Sequence, residues 1–203
     1  VDRDGDRSLP LLEKRAAAAG LENIETRRAD LEELQLPPES VDGVFCRWAL
    51  MYLPETDALA LVDRVASWLR PAGACAMAEL CNFRHLYVHP PCTHLTTITE
   101  ALMTAVEGGR GCNPQIGNEL PGRLAMAGLS VEIHVVTKAV RAGTPGWEWP
   151  DSLFREPLAG LVEAGILDQQ IWDAFMAEWE ELASEPATVF FPSPVMEVIG
   201  RRC

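Results

Sequence analysis

Apolar residues in this chain follow helical spacing in some stretches and form short compact runs in others, and the two kinds alternate. Leu9, Leu12 and Ala16 repeat at helical intervals, with Gly20 placed as a C-terminal cap, which predicts a helix over 9–19. Residues 1–4 and 24–28 read as short strands, each ending near acid, while Pro37 and Pro38 forbid regular structure just beyond the acidic stretch 29–34. Val41, Val44 and Phe45 form a compact apolar run, as expected of a strand covered on both faces. Leu61, Val65 and Trp68 then share one face of a helix over 57–69. After the turn at Pro71, Ala72 and Gly73, the small apolar run 74–80 predicts a central strand with Glu79 at its C-terminal end. Strands alternating with helices imply a parallel sheet.

Beyond residue 81 the pattern changes. An aromatic, His-rich and Pro-rich stretch, read as an insertion over the sheet edge, precedes an apolar helix over 96–106. A helix over 116–127 capped by Gly128 and an alternating strand over 131–136 follow. Residues 147–184 are Trp-rich and acidic, with Leu153, Phe154, Leu158, Phe175 and Trp179 spaced for two amphipathic helices, either a packed hairpin or a lid over a small-molecule pocket. Segments 188–191 and 195–199, separated by Pro192 and Pro194, predict late strand material entering the sheet beside its neighbours. One domain over 1–203 is expected, with a cofactor half over 1–80 and a substrate half over 81–203 that includes the helical lid.

Composition narrows the function. With 48% hydrophobic residues among 203 the chain supports one sizeable core. A net charge of −13 repels polyphosphates, so nucleic acid is not an expected partner. The chain has no apolar run long enough to span a bilayer and opens on no export-type signal, so a soluble cytoplasmic protein is expected, with no membrane partner. Six scattered cysteines without paired short spacing read as reduced, mostly buried thiols. The cluster of His85, His89, Cys92 and His94 matches no standard zinc spacing, and no metal is expected.

The acids carry the candidate chemistry. In open α/β sheets ligands bind outside the carboxyl ends of strands, where loops and helix N-termini converge. Asp2, with Asp6 in reserve, ends a strand where an acid accepts hydrogen bonds from ribose hydroxyls. Asp30 follows the second strand at a bend, where its carboxylate suits an adenine amine while the Leu31 amide suits a ring nitrogen.

In their order, Val1-Asp2-Arg3-Asp4, Ala29-Asp30, the strand closing on Cys46-Arg47 and the Pro71-Ala72-Gly73 turn resemble a class I S-adenosylmethionine-dependent methyltransferase. The resemblance covers residues 1–80 well and the rest weakly. It implies an α/β fold, a Rossmann-like mostly parallel sheet with helices on both faces and a helical insertion before the last strand. It also implies that the family's first strand and glycine-rich loop stand before Val1, so the chain is expected to be N-terminally truncated. Gly108-Gly109-Arg110-Gly111 stands too late to replace that loop.

What the resemblance implies for chemistry is methyl transfer from S-adenosylmethionine to a small-molecule nucleophile. The cofactor would be held by Asp2, Arg3 beside the adenine, Asp30, Leu31 and the Cys46-Arg47 loop. Arg47 would attract the methionine carboxylate and Trp48 would wall the sulfonium. Glu79, His85 and Tyr87, with His89, stand where the family places substrate-facing groups. No catalytic base is required of such a domain, since positioning and exclusion of water suffice. The Trp-rich hairpin also offers a surface for a homodimer. Three alternatives remain: a non-enzymatic or partner-dependent binding module, a nicotinamide-dependent oxidoreductase, whose glycine fingerprint is absent, and a hydrolase, whose Gly-x-Ser-x-Gly elbow is absent.

Overall fold

The computed structural model describes residues 1, 2 and 5–203, the side chains at 5–7, 109–110 and 156 excepted. Helix α1 (Gly5–Ala18) ends at Gly20, whose φ of 68° is the left-handed cap its position predicts. The expected strand over 24–28 shrinks to a single bridge between Asp2 and Arg28. Its one bulky apolar residue, Ile24, stays 41% exposed, so the segment has little to bury against a sheet.

Strand β1 (Val41–Arg47), helix α2 (Glu55–Trp68) and strand β2 (Leu69–Leu80) follow. Glu55 and Asp57 sit in the first turn of α2, where the helix dipole favours negative charge. Leu61, Val62, Val65 and Trp68 bury its apolar face. At the entry to β2, Ala72 takes a left-handed φ of 65°. A Cβ on Gly73 would stand 2.9 Å from the Arg70 carbonyl and 3.0 Å from that of Asp42, so glycine is required there.

The second half supplies strand β3 (Tyr87–His89), helices α3 (Leu95–Arg110) and α4 (Leu120–Met126), and strands β4 (Ser130–Val136) and β5 (Val140–Arg141). The helix expected over 116–127 splits into a 3-10 turn, Ile116–Asn118, and α4, because Pro121 lacks an amide hydrogen and suits only a helix start. The insertion is the pair α5 (Glu148–Glu163) and α6 (Gln169–Ser184), followed by β6 (Val189–Phe191) and β7 (Val195–Arg201).

The main sheet has the order β1-β2-β7-β4. β1 and β2 are parallel, and β7 runs antiparallel to both β2 and β4, so β1, β2 and β4 share one direction with β7 reversed between them. This is the mostly parallel α/β sheet expected. Cys75, Met77, Val198 and Gly200 point to one face; a Cβ on Gly200 would meet Leu124 and Leu129, so this face packs against α4 and the turn behind it. The opposite face carries Ala76 and Ala78 between Phe45 and Arg47 on one side and Ile199 and Glu197 on the other. Phe45 is 74% exposed there, so this face stays open over β1.

β6 departs from expectation. It pairs with β3 and β5 in a separate three-stranded sheet, because Pro192 and Pro194 turn the chain before β7 begins. Phe190 of β6 inserts into the hairpin core, 5.9 Å from Trp179 and 6.0 Å from Phe154, ring centre to ring centre. Trp179 also stacks on Trp147 at 4.9 Å and donates its Nε1–H to Asp151. Of the cysteines, Cys75 is buried and Cys203 exposed, with the other four in between, and all are free thiols. No helix among the described residues is long and apolar enough to cross a membrane.

Candidate functional site

The carboxyl ends of β1 and β2 lie side by side because the two strands are parallel and in register from Gly43 to Arg47. The chain leaves β1 through Trp48, which takes a left-handed φ of 50°. That conformation costs a non-glycine residue about 1–2 kcal/mol, and hydrogen bonds on either side offset it. The Trp48 amide donates to the Ala78 carbonyl at 3.0 Å. The next two amides, of Ala49 and Leu50, both donate to Glu79 Oε1 at 2.8 Å.

Glu79 is therefore not where the substrate reading puts it. It is fully buried, shares the covered face with Cys75 and Met77, and spends its carboxylate on the loop. Its second oxygen has no hydrogen-bond partner among the described residues. Burial pushes the carboxyl above its ordinary range, against the pull of the Leu50, Ala49 and Met51 amides. Burial first, and then the Glu79 charge, drive the Cys46 thiol up to about 12, so Cys46 is a neutral packing group. The same two causes raise Tyr52.

Arg47 and Trp48 face the open side. The guanidinium carbon lies 4.2 Å from the Trp48 ring centroid, a cation–π contact, and no carboxylate among the described residues pairs with Arg47. Both line a cavity of about 550 Å3 on the uncovered sheet face, which also holds Lys138 and Glu197. Trp149, at the start of α5, packs 5.8 Å from Trp48, ring centre to ring centre, and closes the cavity from the hairpin side. Beyond the tryptophan pair lies a smaller cavity of about 260 Å3.

Asp2 and Asp30 come together near the start of the chain. The Ala29 amide donates to the Asp2 carbonyl, and Asp2 Oδ2 accepts the Ser8 hydroxyl at 2.6 Å. Asp30 Oδ1 accepts the Glu32 amide at 3.0 Å, and the Asp30 carbonyl accepts the Glu33 amide, which fixes the bend. Arg64 of α2 donates to the Leu31 and Glu32 carbonyls and fastens this bend to the helix. No direct bond joins these acids to Arg47 among the described residues. Arg3 lies outside the described residues, as does the Asp6 side chain.

His85, Tyr87 and His89 are not brought to either cavity. β3 joins the second sheet, which leaves Tyr87 48% exposed against Phe191, with its hydroxyl 3.5 Å from His89 Nδ1. Trp149, Tyr52 and Lys138 line the cavities instead and escaped the sequence reading, while Leu153 lines the smaller one from the hairpin read as a packed pair or a lid. The Trp-rich run did mark the hairpin, but spacing alone does not tell whether Trp147 or Trp149 faces the sheet.

Residues 5–73 match the model of the methyltransferase-domain family. Over 49 residues the chain is 41% identical to phosphoethanolamine N-methyltransferase 1 of Triticum aestivum, covering 24% of this chain and 10% of that protein. The chain thus spans about a tenth of the length of that curated relative. The fold resembles the YcgJ protein of Bacillus subtilis, at 14% identity and a TM-score of 0.57 over 97% of this chain and 79% of that one. It also resembles the BH2331 protein of Bacillus halodurans, at 13% identity and a TM-score of 0.60 over 99% and 80%. Residues 5–73 thus resemble a methyltransferase domain, and the fold over nearly the whole chain resembles those two proteins.

Proposed function

We propose that this domain transfers a methyl group from S-adenosylmethionine to a small-molecule nucleophile. The observation that carries the reading is the Arg47–Trp48 pair at the end of β1, inside the stretch matched by the methyltransferase model. A guanidinium with no carboxylate partner among the described residues suits a methionine carboxylate, and an aromatic face beside it suits a sulfonium. The residues present thus fit the amino-acid end of the cofactor. At the nucleoside end, Asp2 and the Asp30–Leu31 bend supply the acids and an amide. The bound cofactor supplies an activated methyl group that a lone pair can attack directly. The chain's own work is to hold the two reactants in line and keep water out, so no general base is assigned. Cys46 contributes its backbone position rather than its neutral thiol. Glu79 acts on the site by holding the loop, not by touching substrate.

The phosphoethanolamine specificity of the wheat relative is not carried over, because the match spans a quarter of this chain. Calorimetric titration with S-adenosylhomocysteine tests the reading. The wild-type chain should bind it, and both Arg47→Met and Asp30→Ala should weaken binding by about 10- to 100-fold, the loss of one charge-assisted hydrogen bond, with thermal unfolding nearly unchanged. A wild type without affinity, or variants that bind equally well, would overturn it.

A further inference from the structure

We propose that the cavity of about 260 Å3 behind Trp48 and Trp149 is the methyl-acceptor pocket, and that it takes a small, neutral aromatic compound bearing one polar group. The assignment of an acceptor to this cavity rests on the methyl-transfer reading above; the chemistry of the cavity does not. Its walls are Trp48, Met51, Tyr52, Phe83, Trp149 and Leu153, with Leu80, Leu86, Pro157 and two serines completing them. Among the described residues that line it none carries a charge. An ammonium or phosphate entering it would lose hydration without meeting an opposite charge, a cost of several kcal/mol per ion. Charge is instead gathered in the larger cavity, at Arg47, Lys138 and Glu197. The two chambers share Trp48, Leu80, Trp149 and Ser193, so groups bound in them would meet at the tryptophan pair.

Polar groups in the small cavity are few. The Ser152 hydroxyl donates to the Trp149 carbonyl at 2.9 Å and that of Ser193 to the Asn82 carbonyl at 2.7 Å. The Trp48 indole walls both chambers, and its Nε1–H is buried without an acceptor among the described residues. With both serine protons engaged, the two hydroxyl oxygens are left as acceptors for a ligand N–H. Tyr52, a residue 59% exposed, adds a phenol to the wall. Aromatic walls favour an aromatic guest through offset and edge contacts. The volume falls below the roughly 300–1,000 Å3 of pockets for drug-sized ligands, so the guest is a single or fused ring.

The test uses indole and phosphoethanolamine as probes, with S-adenosylhomocysteine titrated separately. By calorimetry the wild type should bind indole and give no heat with phosphoethanolamine. Ser152→Trp places a large ring at an exposed helix position on the cavity wall and should weaken indole binding at least about tenfold, close to the 1.4 kcal/mol that a tenfold change represents. Its unfolding temperature and S-adenosylhomocysteine affinity should match wild type. Tyr52→Ala, which removes a wall without filling the cavity, should also weaken indole binding and serves if the first variant does not fold. Phosphoethanolamine binding as tight as indole, no indole binding, or indole binding indifferent to both variants would overturn the proposal. Selective indole binding by a chain that takes no S-adenosylhomocysteine would uphold the pocket chemistry and overturn its role as an acceptor site.

Discussion

Glu79→Ala removes the acceptor that, among the described residues, serves the Ala49 and Leu50 amides, both 2.8 Å from Oε1. A buried donor stripped of its partner costs about 1–3 kcal/mol, so the pair costs about 2–6 kcal/mol. The Ala49 end is only half-buried and water can reach it, which favours the lower part of that range, about 3 kcal/mol. For a chain of this length that lowers the unfolding temperature by about 6–12 °C. Glu79→Gln keeps an oxygen for both amides and should stay within about 1 kcal/mol of wild type under acid conditions. pH separates the two forms further. Because burial raises the Glu79 carboxyl, the folded protein retains a proton that the unfolded chain has already released once pH passes the ordinary carboxylate range. Stability from this group therefore falls as pH rises from there through the raised value, and glutamine abolishes that slope. Thermal unfolding followed by circular dichroism across this range reads both effects. A Glu79→Ala protein that unfolds within about 2 °C of wild type, less than 1 kcal/mol, or a glutamine variant as damaging as alanine, would refute the role given to the carboxylate.

Backbone geometry yields two more outcomes. Ala72→Gly relieves a left-handed residue that costs about 1–2 kcal/mol and gives back about 0.4–1 kcal/mol in unfolded-state entropy, so it should stabilise slightly in urea unfolding; clear destabilisation would contradict the strain assigned there. Gly117→Ala would set a Cβ 2.7 Å from the Leu80 carbonyl and 3.0 Å from that of Glu79, and should cost about 1–3 kcal/mol by overpacking in the same measurement. An unchanged midpoint would show that the turn yields easily.

The first half of the fold was legible because its signals are local. Val41–Arg47, the stripe of α2 and the run ending at Leu80 each announce their element by period and composition. Glu79 was legible as a strand end but not as a buried group, although its parity with Cys75 and Met77 contained the answer: alternate residues on a strand face one way, and the bulkier set is the packed one. His85 and Tyr87 misled for a different reason. A three-residue strand carries no information about which sheet it will join, and β3 joined the second. The same holds for β6, whose apolar Val189–Phe191 suits either sheet until Phe190 finds the hairpin rings. The Arg47–Trp48 contact is local, yet the tilt of Trp149 against Trp48 depends on packing between segments a hundred residues apart.

Trp48 joins these levels. Its backbone is held from the covered side of the sheet, through Ala78 and Glu79, while its ring forms a wall on the open side. The strain at its φ persists because the bonds around it cannot all be kept in another conformation, which is the circumstance under which strained residues survive at functional sites. The other wall, Trp149, hangs on the α5–α6 core through Phe190 and meets the sheet loop through its ring contact with Trp48. One side of the tryptophan gate is thus fixed by hydrogen bonds and the other by aromatic packing. Packing tolerates substitution of similar volume far better than a pinned loop tolerates loss of its acceptor. Changes in the hairpin can therefore reshape the smaller cavity while Arg47 and its neighbours keep their geometry; under the acceptor-pocket proposal, the hairpin is then the element through which acceptor preference varies independently of the sheet-side loop.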